Sequence, residues 1–228
     1  MQHSPQAGHH PTPTLTRDSI VDAAIQIVEQ EGPDALTLRR LGAQLGTNHT
    51  AVLRHFSNKD HIVRALAERL MVEALSDFAP GNDWRQTLIS LAHQVRSACL
   101  RHPAVAVLAA VRVSRSPAEF QGADTVIAAL SEAGLRDRDA ALVYRAITDL
   151  ALAAGAFSAS VLTLDEDARQ GDRDAMGREY LLASPQTYPH LAAVAPFLAD
   201  IDDDEQFAMA IDLIVAGVAA KAATLASS

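Results

Sequence analysis

The stretch with the fewest ways to fold is residues 35–59, ALTLRRLGAQLGTNHTAVLRHFSNK. Leu38, Leu41 and Leu45 stand at i, i+3 and i+7. That spacing puts them on one face of a short helix, with Thr37 placed to cap its free amides. Gly46 breaks this helix. A second short helix is predicted from about Asn48, with Ala51, Val52 and Phe56 turned inward. The same 25 positions hold Arg39, Arg40, Arg54, Lys59 and two histidines but no acid, in a chain of net charge -9. Helix, glycine turn and short helix, basic and small-polar outside, make a helix-turn-helix whose second helix enters a DNA groove.

Charge is distributed to suit that reading. Residues 15–71 contain seven basic and seven acidic groups, so the whole excess of acid lies elsewhere. An acidic remainder repels phosphate and leaves one small patch free to approach DNA. Binding per subunit is then modest and gains from pairing two subunits. At 228 residues there is room for a small domain and a larger one. Hydrophobic residues make up 49% and aromatics 4%, alanine is abundant, and period-2 alternation is rare, which gives an all-α fold. Seventeen Arg against two Lys, with the alanine excess, suits a GC-rich bacterial genome. No run of 18 uncharged apolar residues occurs, so no membrane partner is expected. Cys99 stands alone, which excludes an internal disulfide framework and suits a reducing cytoplasm.

The chain divides by its periodicities into three parts. Residues 1–14 read as a disordered tail, His3, His9 and His10 included; residues 15–61 form the helix-turn-helix domain; residues 62–228 form a larger helical domain. The first helix is predicted from Thr16 to about Gln30 and ends at Gly32-Pro33. The fourth, capped by Ser57 or Asn58, runs to about Phe78, before a hinge at Pro80-Gly81-Asn82. Further helices are predicted at 83–101, 103–113, 117–133 and about 138–164. The stretch 165–179, with nine charges in fifteen positions, reads as a mobile loop. A short helix at 190–199 and a last one near 203–225 follow. The 138–164 helix repeats Val143, Ile147, Leu150, Ala154, Phe157, Val161 and Leu164 in alternating steps of four and three. The last helix, with Ile214 and Val218 in its stripe, is apolar almost all round. A four-helix interface between two copies is the economical cover, which makes Val143, Leu150, Phe157, Val161, Ile214 and Val218 interface candidates.

These residues resemble the tetracycline-repressor (TetR) family of bacterial regulators. The likeness rests on Ile20, Ala23-Ala24, Gly32, Ala35 to Leu41, Leu45-Gly46, Ala51-Val52, His55-Phe56 and Lys59-Asp60. Near the other end, Tyr188-Pro189-His190-Leu191, Phe207 and Ile211 to Val218 look like the C-terminal domain of the tetracycline-repressor subgroup. The resemblance implies a homodimeric, ligand-responsive regulator and not an enzyme, a repressor released from a palindromic operator by a small hydrophobic effector. An activator or a ligand-independent regulator is the alternative that sequence does not separate from it, and an all-α binding protein or enzyme on the same fold is the remoter one. One position departs from the pattern. The family usually places Tyr where Leu53 stands, and Leu53 offers no hydroxyl to a phosphate; it either lowers affinity or touches a thymine methyl.

Candidate DNA contacts follow from position. Thr47, Asn48, His49 and Thr50 begin the recognition helix, where base edges are reached, and Asn48 could pair with adenine. Arg54 reaches guanine or a phosphate. Thr37 and Lys59 lie at helix N-termini, which favour phosphate. Arg39 and Arg40 are backbone contacts or solvated, and His55 is structural or phosphate-binding. The resemblance places the effector among the helices between 83 and 164. The polar residues in apolar stretches there are His93, Arg96, His102, Arg112, Tyr144 and Asp149. His93, Cys99 and His102 do not make a metal site, because six residues turn a helix by about 600° and separate the first two. No cofactor and no metal is expected.

Overall fold

The computed structural model describes residues 15–76, 78–198 and 200–227, the side chain of Met176 aside. The expected tail at 1–14 lies outside them. Eleven α-helices and no strand occur among the described residues. The first four are α1 (Arg17–Glu31), α2 (Leu38–Gln44), α3 (His49–Leu53) and α4 (Lys59–Ser76). The body contains α5 (Trp84–Arg101), α6 (Pro103–Ala109), α7 (Pro117–Glu132), α8 (Asp137–Leu162), α9 (Glu166–Glu179), α10 (Pro189–Leu198) and α11 (Asp203–Ala226).

Local chemistry sets the helix ends in the head. Thr16 and Ser19 form a reciprocal capping box at the start of α1, and Thr37 Oγ1 accepts from the Arg40 amide at 3.1 Å. Asn58 Oδ1 accepts from the His61 amide at 3.0 Å and opens α4. Between α2 and α3 the chain turns at Gly46, φ 62°, and the two helices close on Gly42. A Cβ at Gly42 would lie 2.9 Å from the backbone of Asn48 and His49, so only glycine lets α3 pack this near α2.

The head core is built from Ile20, Ile27, Leu36, Leu41, Val52 and Phe56, all within 1% of fully buried. It continues without a break into Ile62, Leu66 and Leu70 of α4, and into Val105, Ala106 and Ala109 of α6. The first core therefore crosses residue 61, and α4 and α6 belong to it. A second core joins Trp84, Leu88 and Leu91 of α5 to Leu130, Ile147, Ala151, Phe207, Ile211, Val215 and Val218. Body packing centres on α5 against α8, with α4 and α7 alongside.

Two expectations change. Residues 165–179 are not a loop: Asp165 caps α9 through the Ala168 amide at 2.8 Å, and Glu166 and Asp167 suit its N-terminus. Arg169–Glu166 and Arg178–Asp174 pairs one turn apart then support a helix with little apolar surface. Val218, expected at the interface, is not on an outer face; it is 2% exposed and lies with Phe207, Ile211 and Val215 on the side of α11 that enters the second core. Counting only uncharged runs also understates two helices: α8 and α11 are long and apolar enough, by length and composition, to cross a membrane.

Candidate DNA-binding surface and effector cavity

On the head, α3 presents Asn48, His49, Thr50, Leu53 and Arg54 outward as one exposed patch, while Val52 anchors it from behind. Thr47 and His55 flank it half-buried. Asn48 has a structural task as well: its Oδ1 accepts from the Ala51 amide at 3.0 Å and caps α3. That leaves its amide N–H₂ as the free part, so bidentate pairing with adenine would cost the cap. Arg17, which sequence reasoning missed, locks the patch in place. Its Nη1 donates to the His55 carbonyl at 2.7 Å, and its guanidinium lies 4.1 Å from the Phe56 ring centre. No spacing rule reports such a contact, because α1 and the end of α3 are far apart in sequence.

The remaining head cations differ in freedom. Arg39 is exposed. Arg40 is held by Glu31, with Nε 3.0 Å from both carboxylate oxygens. The hydrogen bond lowers the Glu31 carboxyl below the usual range and raises Arg40 further. Lys59 is exposed at the start of α4 and donates to the Pro33 carbonyl at 3.3 Å.

In the body a cavity of about 410 Å³ lies between α4, α5, α7 and α8, under the segment that follows α6. Leu70, Met71, Leu88, Leu91, Val95, Val126 and Leu152 make most of its wall. Arg112, Ser114, Glu119, Tyr144, Arg145, Thr148 and Asp149 supply its polar groups. Of the six residues expected here, Arg112, Tyr144 and Asp149 line it; His93, Arg96 and His102 do not. His93 meets the Phe207 ring edge-on at 5.0 Å. Arg96 is buried, paired with Asp204 and set over Phe207, so it ties α5 to α11. His102 reaches Glu73 at 3.1 Å.

Electrostatics within the wall are specific. Burial, with Glu119 second, raises the Tyr144 hydroxyl, which stays protonated as a donor near neutral pH. Cys99 also lines the cavity, and burial pushes its thiol up to about 11, which makes it packing surface rather than a nucleophile. Arg112 pairs with Asp60 in the first turn of α4 and so joins the cavity wall to the head. Asp60 is lowered, first by that hydrogen bond.

A helix-turn-helix head carried on a helix that also walls a body cavity is the arrangement of a DNA-binding regulator. The model for bacterial regulatory proteins of the tetR family matches residues 20–66, and that for the tetracyclin repressor-like C-terminal domain matches residues 79–222. The chain belongs to the TetR family. It is a transcriptional regulator and not an enzyme. An HTH-type transcriptional regulator of Saccharopolyspora erythraea is 30% identical over 96% of this chain and 90% of its own length. The class A tetracycline repressor of transposon 1721 from Escherichia coli is also 30% identical, over 90% and 91%. The crystal structure of ActR, a TetR family protein of Streptomyces coelicolor, in complex with actinorhodin superposes with a TM-score of 0.80. It is 25% identical and covers 92% of this chain and 97% of that one.

Proposed function

We propose that this TetR-family regulator is a cytoplasmic homodimeric repressor that holds a palindromic operator and releases it when an apolar small molecule enters the body cavity. The observation that carries the reading is the double duty of α4. Its first half packs into the head core through Ile62 and Leu66, and its second half walls the cavity through Ala67, Leu70, Met71 and Ala74. A ligand in the cavity touches the helix on which the recognition helix rests. Two recognition helices must stay about 34–36 Å apart, or a comparable groove separation, to read one face of a duplex. A shift of α4 changes that spacing, and coupling of this kind amounts to ~1–3 kcal/mol per site. Direct readout belongs to His49, Thr50 and the free amide of Asn48, with Thr47 and Leu53 beside them. Phosphate contact belongs to Thr37, Arg39, Arg40, Arg54, His55 and Lys59.

The homodimer rests on apolar surface that one chain leaves open. Phe157 on α8 is 66% exposed, and Met209 and Leu213 on α11 are 60% and 66% exposed. Half-buried Val143, Leu150, Val161 and Ile214 lie on the same two helices. Two copies of this pair make a four-helix seam and need no lipid to cover it. Relatives with a repressor's name and one solved with a small molecule support the same reading. The test is light scattering at micromolar concentration, with operator release followed by fluorescence anisotropy. Twice the 24.3 kDa chain mass, and loss of DNA binding on adding a cavity ligand, are expected. A monomer, or a cavity ligand that leaves DNA affinity unchanged, would overturn it.

A further inference from the structure

The cavity wall carries two arginines, and they are balanced differently. Arg145 meets Asp149 at 2.9 Å, one turn along α8, and both line the wall. Arg112 pairs instead with Asp60, which does not line the cavity but opens α4 beside Lys59. The wall's other acid, Glu119, accepts from Ser114 Oγ at 2.7 Å and from the Arg115 amide at 2.9 Å. Among the described residues, Arg112 is thus the one cation of the wall whose counter-ion stands outside it. Asp60 in turn is shared: Arg64 lies 2.9 Å from its other oxygen.

From this geometry we infer that the effector is an apolar organic acid, a carboxylate or comparably acidic group on a hydrophobic body, and that it releases the head by taking Arg112 from Asp60. The inference rests on the cavity being the effector site. Arg112 offers an acid a forked, permanently charged donor. Glu119 and Asp149 repel an acid placed elsewhere along the wall, which fixes the ligand's orientation. The head loses one of its two arginines at Asp60. The tie between the segment after α6 and the first turn of α4 opens, and a less compensated carboxylate is left beside Lys59, the proposed phosphate contact. Charge and ligation change at one atom pair, where cavity and head meet.

The prediction can be read with two dyes of one shape. 1-Anilinonaphthalene-8-sulfonate carries an acid; N-phenyl-1-naphthylamine is the same ring system without it. Both bind wild-type protein and displace each other. Asp60→Asn raises affinity for the sulfonate about five-fold or more and leaves the neutral dye unchanged, because a competitor for Arg112 has been removed. Arg112→Gln brings the sulfonate down to the neutral dye, and Arg112→Lys restores part of the difference. Asp60→Asn also weakens binding of a selected duplex without any dye, and the sulfonate then weakens it little further. Melting curves report whether each variant is folded. Equal shifts of both dyes in Asp60→Asn would overturn the exchange and leave the cavity reading standing. Failure of both dyes to bind, or to displace each other, would overturn the cavity reading along with it.

Discussion

The head and the body solve the same packing problem to different degrees. In the head, Ile20, Ile27, Leu36, Leu41, Phe56 and Leu66 are all buried to within 1%, and Leu53 on the recognition surface is only just exposed, at 38%. The body exposes Val111, Phe120, Phe157, Leu182, Phe197 and Leu213 and encloses a cavity as well. α9 and α10 pack chiefly on each other and on the turn between them, rather than on the body core. The head is closed by its own residues together with α6, which completes its core. The body leaves apolar surface and a cavity open, and that is where the proposed response to ligand and to a second copy would reside.

The comparison breaks if the head tolerates loss of its core. Phe56→Ala removes a fully buried ring and the face under Arg17, and is expected to cost about 3–5 kcal/mol of unfolding free energy. Urea denaturation measures it, and DNA binding should vanish with the fold. A loss below ~1 kcal/mol would mean that the head relies on something other than its own core.

A paired substitution sharpens the body side. Phe157→Asp changes an exposed ring and should leave the isolated chain's unfolding within about 0.5 kcal/mol of wild type, yet turn a dimer into monomers by burying carboxylates at the seam. Val218→Asp places the same charge in the second core and should unfold the chain itself. Sedimentation and thermal melting separate the two. A Phe157→Asp protein that stays dimeric would move the seam elsewhere.

These differences also explain what was legible. Thr37, and Ser57 or Asn58, were readable as caps because a cap depends on residues three positions away, and Thr37 and Asn58 take that role. Asn48 was read only as a base contact, and its cap of α3 came with the structure. The head's core stripe was readable because its leucines follow one helical period. Gly42 was missed, since its need for no side chain comes from α3 approaching at 2.9 Å, which no local pattern encodes. The charged 165–179 stretch looked too polar to order, but its cap and one-turn ion pairs are local enough to hold a helix. Among polar residues of the body, spacing told which were unusual but not which way they faced. His93, Arg96 and His102 turned to Phe207, Asp204 and Glu73, while Arg112, Tyr144 and Asp149 turned to the cavity. That choice depends on where four helices meet. Val218 was misjudged for the same reason: a helix apolar all round does not announce which side meets its own chain.

The smallest expected effect concerns acid. Glu31 and Asp60 are both lowered in the folded head by arginine hydrogen bonds. A group lowered on folding contributes stability above its unfolded value and loses it as pH falls through the folded one. Head stability should therefore stay level from neutral pH to the ordinary carboxylate range near about 4 and drop only below it. Glu31 is exposed and Asp60 only half-buried, so the drop should be slight, and Glu31→Gln with Asp60→Asn should flatten it. A decline that begins well above that range, near about pH 6, would contradict the assignment to these two carboxylates.

The central claim is that two copies present two α3 helices to one duplex. Selection from a random double-stranded library with wild-type protein tests it most directly, with Arg39→Ala, His49→Ala and Arg54→Ala run beside it. The expected result is an enriched inverted repeat whose half-sites lie about one helical turn apart. His49→Ala should change the preferred base within each half, whereas the arginine variants should weaken all sequences alike. An enriched single half-site, or no sequence enriched over the variants, would contradict the claim.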